Sequence, residues 1–383
     1  MHKLEFTLRQ HTPLIHFQHH QDGATLRATE LKPKLDRFIL ERLNSSQKQL
    51  SWVKVLPNNG VSLDYKLFIW VEDEPEKFLI SSFIRKKDKE ILNGKHIKTL
   101  APSSYFAQEK EIKDYVKNPN LEFSKLGIMH KKNLSVEIRS FHDDLIQIID
   151  ASLEDFFVHE NFGTRQSKGF GSFTRDVTTE SSFEDSLLKH PHFQKGFRRK
   201  QLATNLSDIL KIIQSEYSIL KSGNQNTDSQ IQIFFKDFEK EEGGHSIDWE
   251  KKKAKDHLVF KKGDEKIQDL RNNQNYQYVR ALLGLAEEYT YPHNENQKVK
   301  IKAIEKDIER FKSPILFKVF GNRIYILPNC IDLTIFDTQF DFSNENRVLK
   351  LKTPPKKINE TEVFDLAAFL DYGLDNKWET LKK

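Results

Sequence analysis

Apolar and polar positions alternate at the start of the chain. Leu4, Phe6 and Leu8 are interleaved with Glu5, Thr7 and Arg9, the period of a half-buried strand. A connection punctuated by Pro13 and Gly23 runs from Thr12 to about Lys32. From Pro33 the period becomes helical, with Leu35, Phe38, Ile39 and Leu43 on one face and Lys34, Arg37 and Glu41 largely elsewhere. Strand patterns return at Tyr65–Val71, in the apolar run Phe78–Ile84, and in the alternation of Leu134, Val136 and Ile138. Asp143 or Asp144 then caps a helix whose buried stripe is Leu145, Ile148, Ile149, Leu153, Phe156 and Phe157. That helix stops at Gly163, a glycine-rich loop occupies residues 161–173, and Ser172–Thr178 closes as a strand. The lysine-rich stretch of about 85–132 lacks sustained periodicity and reads as a partly mobile insertion.

The order strand, helix, strand, strand, helix, strand predicts an α+β ferredoxin-like domain over residues 1–180. The RRM shares this topology, but its aromatic motif is not recognised here. Beyond residue 180 the pattern changes. A basic cluster, Lys195, Arg198, Arg199 and Lys200, precedes a long helix at Leu202–Leu220 and a polar linker at 221–228. Ile231–Phe235 reads as a strand, 239–275 as a charged surface excursion and Tyr278–Tyr289 as a short apolar helix. Ile315–Phe320 and Arg323–Leu327 are spaced to form a hairpin around Gly321-Asn322, and 363–374 is a terminal helix. These elements predict a second α+β domain over 181–383.

Composition narrows the class. Charged residues make up 31% of the 383 and hydrophobic residues 37%, which fits a globular protein with a charged surface and enough apolar material for a core. The net charge is only +5, so any polyanion site must come from local clustering. The lone Cys330 excludes an intrachain disulfide and a cysteine-based zinc site. No apolar run reaches the length of a membrane span, and the N-terminus reads as a strand, so a cytoplasmic protein without membrane contact is expected.

The chemistry concentrates in the loop. Gly163, Gly169 and Gly171 permit unusual backbone conformations and close approach of another chain. Arg165 and Lys168 add charge, Ser167 and Ser172 offer hydroxyl donors, and consecutive N–H groups can form an anion-binding nest. A helix-to-strand connection with glycines for tight packing is the plainer alternative. Neither a Walker loop nor a dinucleotide fingerprint is present, and nothing implies a cofactor.

Gly163-Thr164-Arg165-Gln166-Ser167-Lys168-Gly169-Phe170-Gly171-Ser172 resembles the Gly-x-Arg-x-x-Lys/Arg-Gly-x-Gly-Ser loop of RAMP proteins, CRISPR-associated subunits built on ferredoxin-like folds. Thr12-Pro13-Leu14 followed by Leu26-Arg27-Ala28-Thr29-Glu30-Leu31-Lys32-Pro33 is similar to the start of the first subunit of the Cmr module. Lys312-Ser313-Pro314-Ile315 and the strands after it resemble a second RAMP domain. The resemblance implies tandem ferredoxin-like (RRM-like) domains with insertions, in a type III ribonucleoprotein of antiviral defence. It implies a non-catalytic subunit that contacts guide RNA, target RNA or both, with other effector subunits as partners. If the first helix packs on the sheet as this fold requires, Arg27, Lys32, Lys34 and Arg37 lie beside the loop and add salt-sensitive phosphate contacts.

Catalysis has weaker support. His11, His16, His19 and His20 are candidates for general acid–base cleavage of precursor RNA, the alternative function, and equally ordinary loop residues. They lack an acidic or cysteine partner at metal-ligand spacing. Arg9 and His16 match an Arg-x6-His spacing, but across a strand and Pro13 rather than on a helix. Asp143 and Asp144 are explained by a helix N-terminus, which leaves Asp22 as the loop carboxylate. A third reading is an assembly subunit that does not touch RNA.

Overall fold

The computed structural model describes the chain except for residues 17–24, 58–59, 81–91, 93–95, 101–125, 191–192, 194–195, 202–204, 224–227, 243–246, 260–274, 286–287, 292–296, 305–310, 345–346, 359 and 383. The first six elements that build the core are β1 (His2–Gln10), α1 (Ala28–Leu40), β2 (Lys66–Trp70), β3 (Leu134–Ser140), α2 (Asp143–His159) and β4 (Phe173–Arg175). Their sheet order is β4–β1–β3–β2, every neighbour antiparallel, which is the ferredoxin-like arrangement.

The register explains the core. Leu4 lies opposite Ile138 and Phe6 opposite Val136, while Leu67 and Ile69 of β2 take the same two partners from the other side. With side chains alternating between faces, these rows point one way and meet the stripes of the two helices. Leu31, Leu35 and Ile39 of α1 join Leu145, Ile149, Leu153 and Phe156 of α2 in one buried cluster with the strand residues. Truncating a fully buried member such as Leu153 to alanine should cost about 2–5 kcal/mol.

The pattern then repeats. After α3 (Glu180–Lys189) come β5 (Phe197–Gln201), α4 (Leu206–Lys221), α5 (Gln230–Glu242), α6 (Glu250–Leu258), β6 (Ile315–Phe320), β7 (Arg323–Pro328), α7 (Leu366–Gly373) and β8 (Glu379–Leu381). The second four-stranded sheet runs β6–β7–β5–β8. Read along the chain as β5-α4-β6-β7-α7-β8, this is the same order of first, second, third and fourth strands as in the first sheet. The fold is α+β with tandem ferredoxin-like domains. A long excursion sits between α4 and β6 of the second.

By compactness the chain divides into Met1–Gln214 with Leu316–Leu327 and Leu381–Lys383, and Ser215–Ile315 with Pro328–Thr380. The first unit also carries a small sheet of Leu14–Ile15, Gly127–Met129, Glu76–Ile80 and Ile97–Leu100. A second apolar cluster, with Phe183, Phe197, Leu316 and Tyr325, lies around β5, β6 and β7. In the second unit a six-stranded sheet includes Asn275–Gln277, Gln297–Ala303, Gln339–Asn344 and Arg347–Lys352, with Tyr278 packed edge-on against Phe340 and Phe342.

Three local expectations change. Helix α1 begins at Ala28, so Pro33 lies inside it and leaves the Thr29 carbonyl without its usual helical donor. Ile231–Phe235 is helical, not extended. Ile231, Ile233 and Phe235 fit a period of two, but Ile231, Phe234, Phe235 and Phe238 fit a helix equally, and the helix is what forms. Tyr278–Tyr289 is not one helix. Val279–Leu283 makes a short 3₁₀ turn that Gly284 ends at φ +110°, and Glu288–Tyr291 is a strand. Most of 85–132 lies outside the described residues.

Candidate nucleic-acid interface

The loop at 161–173 leaves α2 and enters β4. Its two ends are joined by a bridge between Asn161 and Ser172. Between them Gly163, Arg165, Gly169 and Gly171 take φ of +76°, +62°, +79° and +63°. The glycines are required by packing as well. A Cβ on Gly171 would lie 2.0 Å from the Phe162 carbonyl oxygen, and one on Gly163 would lie 2.4 Å from that of Ile15. Gly169 sits against Ile213.

The loop's donors are largely committed inside the protein. The N–H of Thr164 donates to Ile15 O, that of Lys168 to Arg165 O and that of Gly171 to Pro13 O. Gly163 N–H donates to the Glu30 carboxylate and Ser172 N–H to Thr12 Oγ1. The anion nest expected from the sequence is therefore not formed by these groups. Ser172 is fully buried and its hydroxyl donates to Val319 O at 2.7 Å, so it is turned into the protein and away from any phosphate. On the other side the loop is fastened to β6. Phe317 N–H donates to Ser167 O, and Asn161 Nδ2 donates to Phe317 O and Gln166 O.

What remains at the surface is the stretch Thr164–Lys168, all partly exposed. Partial burial first, and Arg165 second, lower the Lys168 amine to about 7. Helix α1 runs beside this stretch. At 100° per residue Arg27, Glu30, Lys34 and Arg37 fall on one face, and two of them reach the loop directly. Glu30 does so through Gly163, and Lys34 through the Asn161 carbonyl and the Gln166 side chain, each at 2.6 Å. Arg37 is exposed on the same face and makes no ion pair among the described residues. Lys32 points the other way. Its amine donates to Asp36 and to Leu63 O at 2.8 Å and lies 4.0 Å from the Tyr65 ring centre, so it is not part of this group.

Of the other sequence candidates, Lys200 is partly exposed on β5, and the rest are structural or undescribed. Arg198 is buried. Arg199 and Arg323 share the Glu184 carboxylate, which also accepts from the Tyr325 hydroxyl. Lys195, His19, His20 and Asp22 lie outside the described residues. His16 is buried. His11 Nδ1 accepts from Gly321 N–H, which makes Nε2 the protonated nitrogen facing Thr174 Oγ1. Burial, with Lys318 and Arg9 nearby, lowers its pKa to about 3. Among the described residues no cluster of His, Cys, Asp and Glu is arranged to hold a metal ion, and no helix is long and apolar enough to cross a membrane.

Sequence reasoning missed Lys318. It is fully buried on β6, donates to Glu160 O at 2.7 Å and to Phe173 O at 3.0 Å, and so ties the end of α2 to the start of β4. Burial, only partly offset by Glu160, holds its amine far below the ordinary lysine range. Nothing in Phe-Lys-Val-Phe distinguishes it from a lysine on a strand's open face.

No curated protein matches the sequence. A crystal structure of Cmr1 from Pyrococcus furiosus in its apo form is similar over 95% of this chain and 92% of that one, at 11% identity and a TM-score of 0.34. Family models match twice, the Cmr1 N-terminal domain at residues 1–224 and the Cmr1 C-terminal domain at 228–383. Between them they span nearly the whole sequence, and the chain belongs to the Cmr1 family.

Proposed function

We propose that the chain is a non-catalytic, RNA-binding subunit of a type III-B (Cmr) CRISPR effector, working in the cytoplasm in antiviral defence. It holds the backbone of guide RNA, target RNA or both alongside the other effector subunits. Membership of the Cmr1 family supports the place in the effector. The observation that carries RNA binding is the partly exposed stretch with Arg165, Ser167 and Lys168, set beside the α1 face with Arg27, Lys34 and Arg37. Gly163, Gly169, Gly171 and Ser172 serve it by fixing the loop, and Lys32 by anchoring α1. Contacts of this kind are indifferent to sequence and sensitive to salt, as a subunit serving variable RNAs needs.

The test is Arg165→Gly combined with Lys168→Ala. Glycine tolerates the positive φ at 165, so the charge is removed without strain. RNA affinity should fall about tenfold, and the dependence of log K on log salt should flatten by one to two charges. Unchanged affinity and slope in a folded variant would overturn the reading. An assembly subunit without RNA contact is favoured by one observation, the internal use of the loop's N–H groups. In that case the chain copurifies with its partners but shows no affinity for RNA even at low salt.

A further inference from the structure

Among the described residues the helices pack on one face of the first sheet, and its other face carries an ordered pattern of side chains. From the register, successive rows across β1, β3 and β2 read Lys3–Arg139–Lys66, then Glu5–Glu137–Phe68, then Thr7–Ser135–Trp70. Arg9, opposite Thr174, begins the next row. Phe68 and Trp70 are 43% and 44% exposed, on an edge strand. Two large aromatic rings in the open on an edge strand are a liability that proteins normally blunt with charge or cover.

Beside Trp70 the face is hollow. A depression of about 360 Å³ crosses the small side chains of Thr7 and Ser135, with Trp70 at one side and Asp176 and Val177 at the other. One side is thus an indole and the other an aliphatic group, and the polar lining combines the acceptors of Glu5, Thr7, Ser135 and Asp176 with one cation, Arg175, which pairs with Asp150. Glu5 is already paired with Lys3, and the hydroxyls of Thr7 and Ser135 with the carboxylate of Asp176 suit the N–H groups of a nucleobase edge. Cations stand at the two ends of the face. Arg9 and Lys66 are exposed and make no ion pair among the described residues. Arg139 stands 5.2 Å from the Phe68 ring centre, over its face, while sharing Glu137 with Lys3.

We infer that this face is a stacking platform for two consecutive unpaired bases of single-stranded RNA, one on Trp70 in the hollow and one against Phe68, with the backbone passing toward Arg9 and Lys66. The two rings are i and i+2 on one strand, about 7 Å apart, a separation that successive unstacked nucleotides bridge. Aromatic rings on an open ferredoxin-like sheet are a general solution for holding unpaired bases. The inference rests on the proposal that the chain binds RNA. It adds a second site that reads single-strandedness where the loop reads charge.

The experiment uses the full chain and a mixed-sequence single-stranded RNA oligonucleotide with 2-aminopurine at successive positions, alongside the same sequence as a duplex. Trp70→Ala should weaken single-strand binding about tenfold and abolish the 2-aminopurine response, and Trp70→Phe should recover most of both. Duplex binding and the salt slope should not change, because stacked bases cannot reach the rings and no charge has been removed. Phe68→Ala should act in the same direction. The inference is overturned if both alanine variants, folded by melting temperature, bind single strands like the parent. It is overturned equally if they lose partner subunits instead, which would make the face a protein contact. Arg165→Gly with Lys168→Ala, run in parallel, separates the two sites. Loss of salt slope in that variant with no effect of Trp70→Ala sinks the platform alone, and the converse sinks the loop alone.

Discussion

Gly171 adopts φ +63°, and a Cβ there would lie 2.0 Å from the Phe162 carbonyl oxygen, far inside van der Waals contact. Alanine combines left-handed strain with a clash against backbone, so Gly171→Ala should destabilise the protein by about 2–4 kcal/mol in urea unfolding. Substitution at Gly321, also at positive φ but with open space around it, should cost only about 1 kcal/mol. The sequence marks all these positions as glycine and cannot say which ones are crowded. Titration carries a second residue-scale consequence. His11 takes up its second ring proton only below about pH 3, and burial likewise depresses His159. An unfolded histidine binds a proton near pH 6.5, so between there and about 3 the unfolded chain takes up protons that the folded chain refuses. Stability should therefore fall on acidification through that window, by up to about 1.4 kcal/mol per pH unit for His11, with His159 acting in the same direction. His11→Asn should flatten the slope measured by unfolding between pH 7 and 5. Lys168 moves the other way in binding. Its amine is charged only below about 7, so RNA affinity should rise as pH falls from 8.5 to 6, and Lys168→Arg should abolish that dependence in an affinity titration.

Among the elements, α1 shows what periodicity can and cannot reveal. The packing this fold requires puts Arg27, Lys32, Lys34 and Arg37 together beside the loop, but the helical period sends Lys32 and Arg37 out on different faces. Lys32→Ala should leave the buried Asp36 carboxylate without its cation and destabilise by about 1–3 kcal/mol, with RNA affinity little changed. Arg37→Ala should do the reverse, keeping stability within about 0.5 kcal/mol and weakening RNA binding. Melting and filter binding on the same two proteins check both. The first repeat was legible because its strands are half-buried and alternate cleanly, and its helix stripe is long. Helix α5 and the turn at Val279–Leu283 differ from the sequence expectation because short runs dominated by apolar residues fit both periods. The sheet platform escaped notice for a different reason. Phe68 and Trp70 are separated by Ile69 in an apolar run, and only the register with β3 shows which face each occupies.

Across the whole molecule the two sheets share one topology but not one loop. In the first repeat the connection from α2 to β4 is residues 160–172, with its three glycines. In the second the corresponding connection, between α7 and β8, is the five residues Leu374–Trp378, without a glycine. Only the first repeat has the backbone freedom to build a loop of this kind, and Lys377→Ala should leave RNA affinity within about twofold of the parent. The fastening of the loop to β6 carries a consequence for how the protein is made. Ser172 meets its acceptor on Val319 147 positions later, and Asn161 meets Phe317 156 positions later. A ribosome adding 5–20 residues per second needs on the order of 10 s to bring those partners out. Throughout that interval the first sheet can close, but the loop lacks its buttress, and the nascent chain passes through a stage when it is folded yet not competent. Chains released before Phe320 should therefore lack the salt-sensitive share of RNA binding that the loop supplies, which a filter-binding titration of such a truncation reads directly.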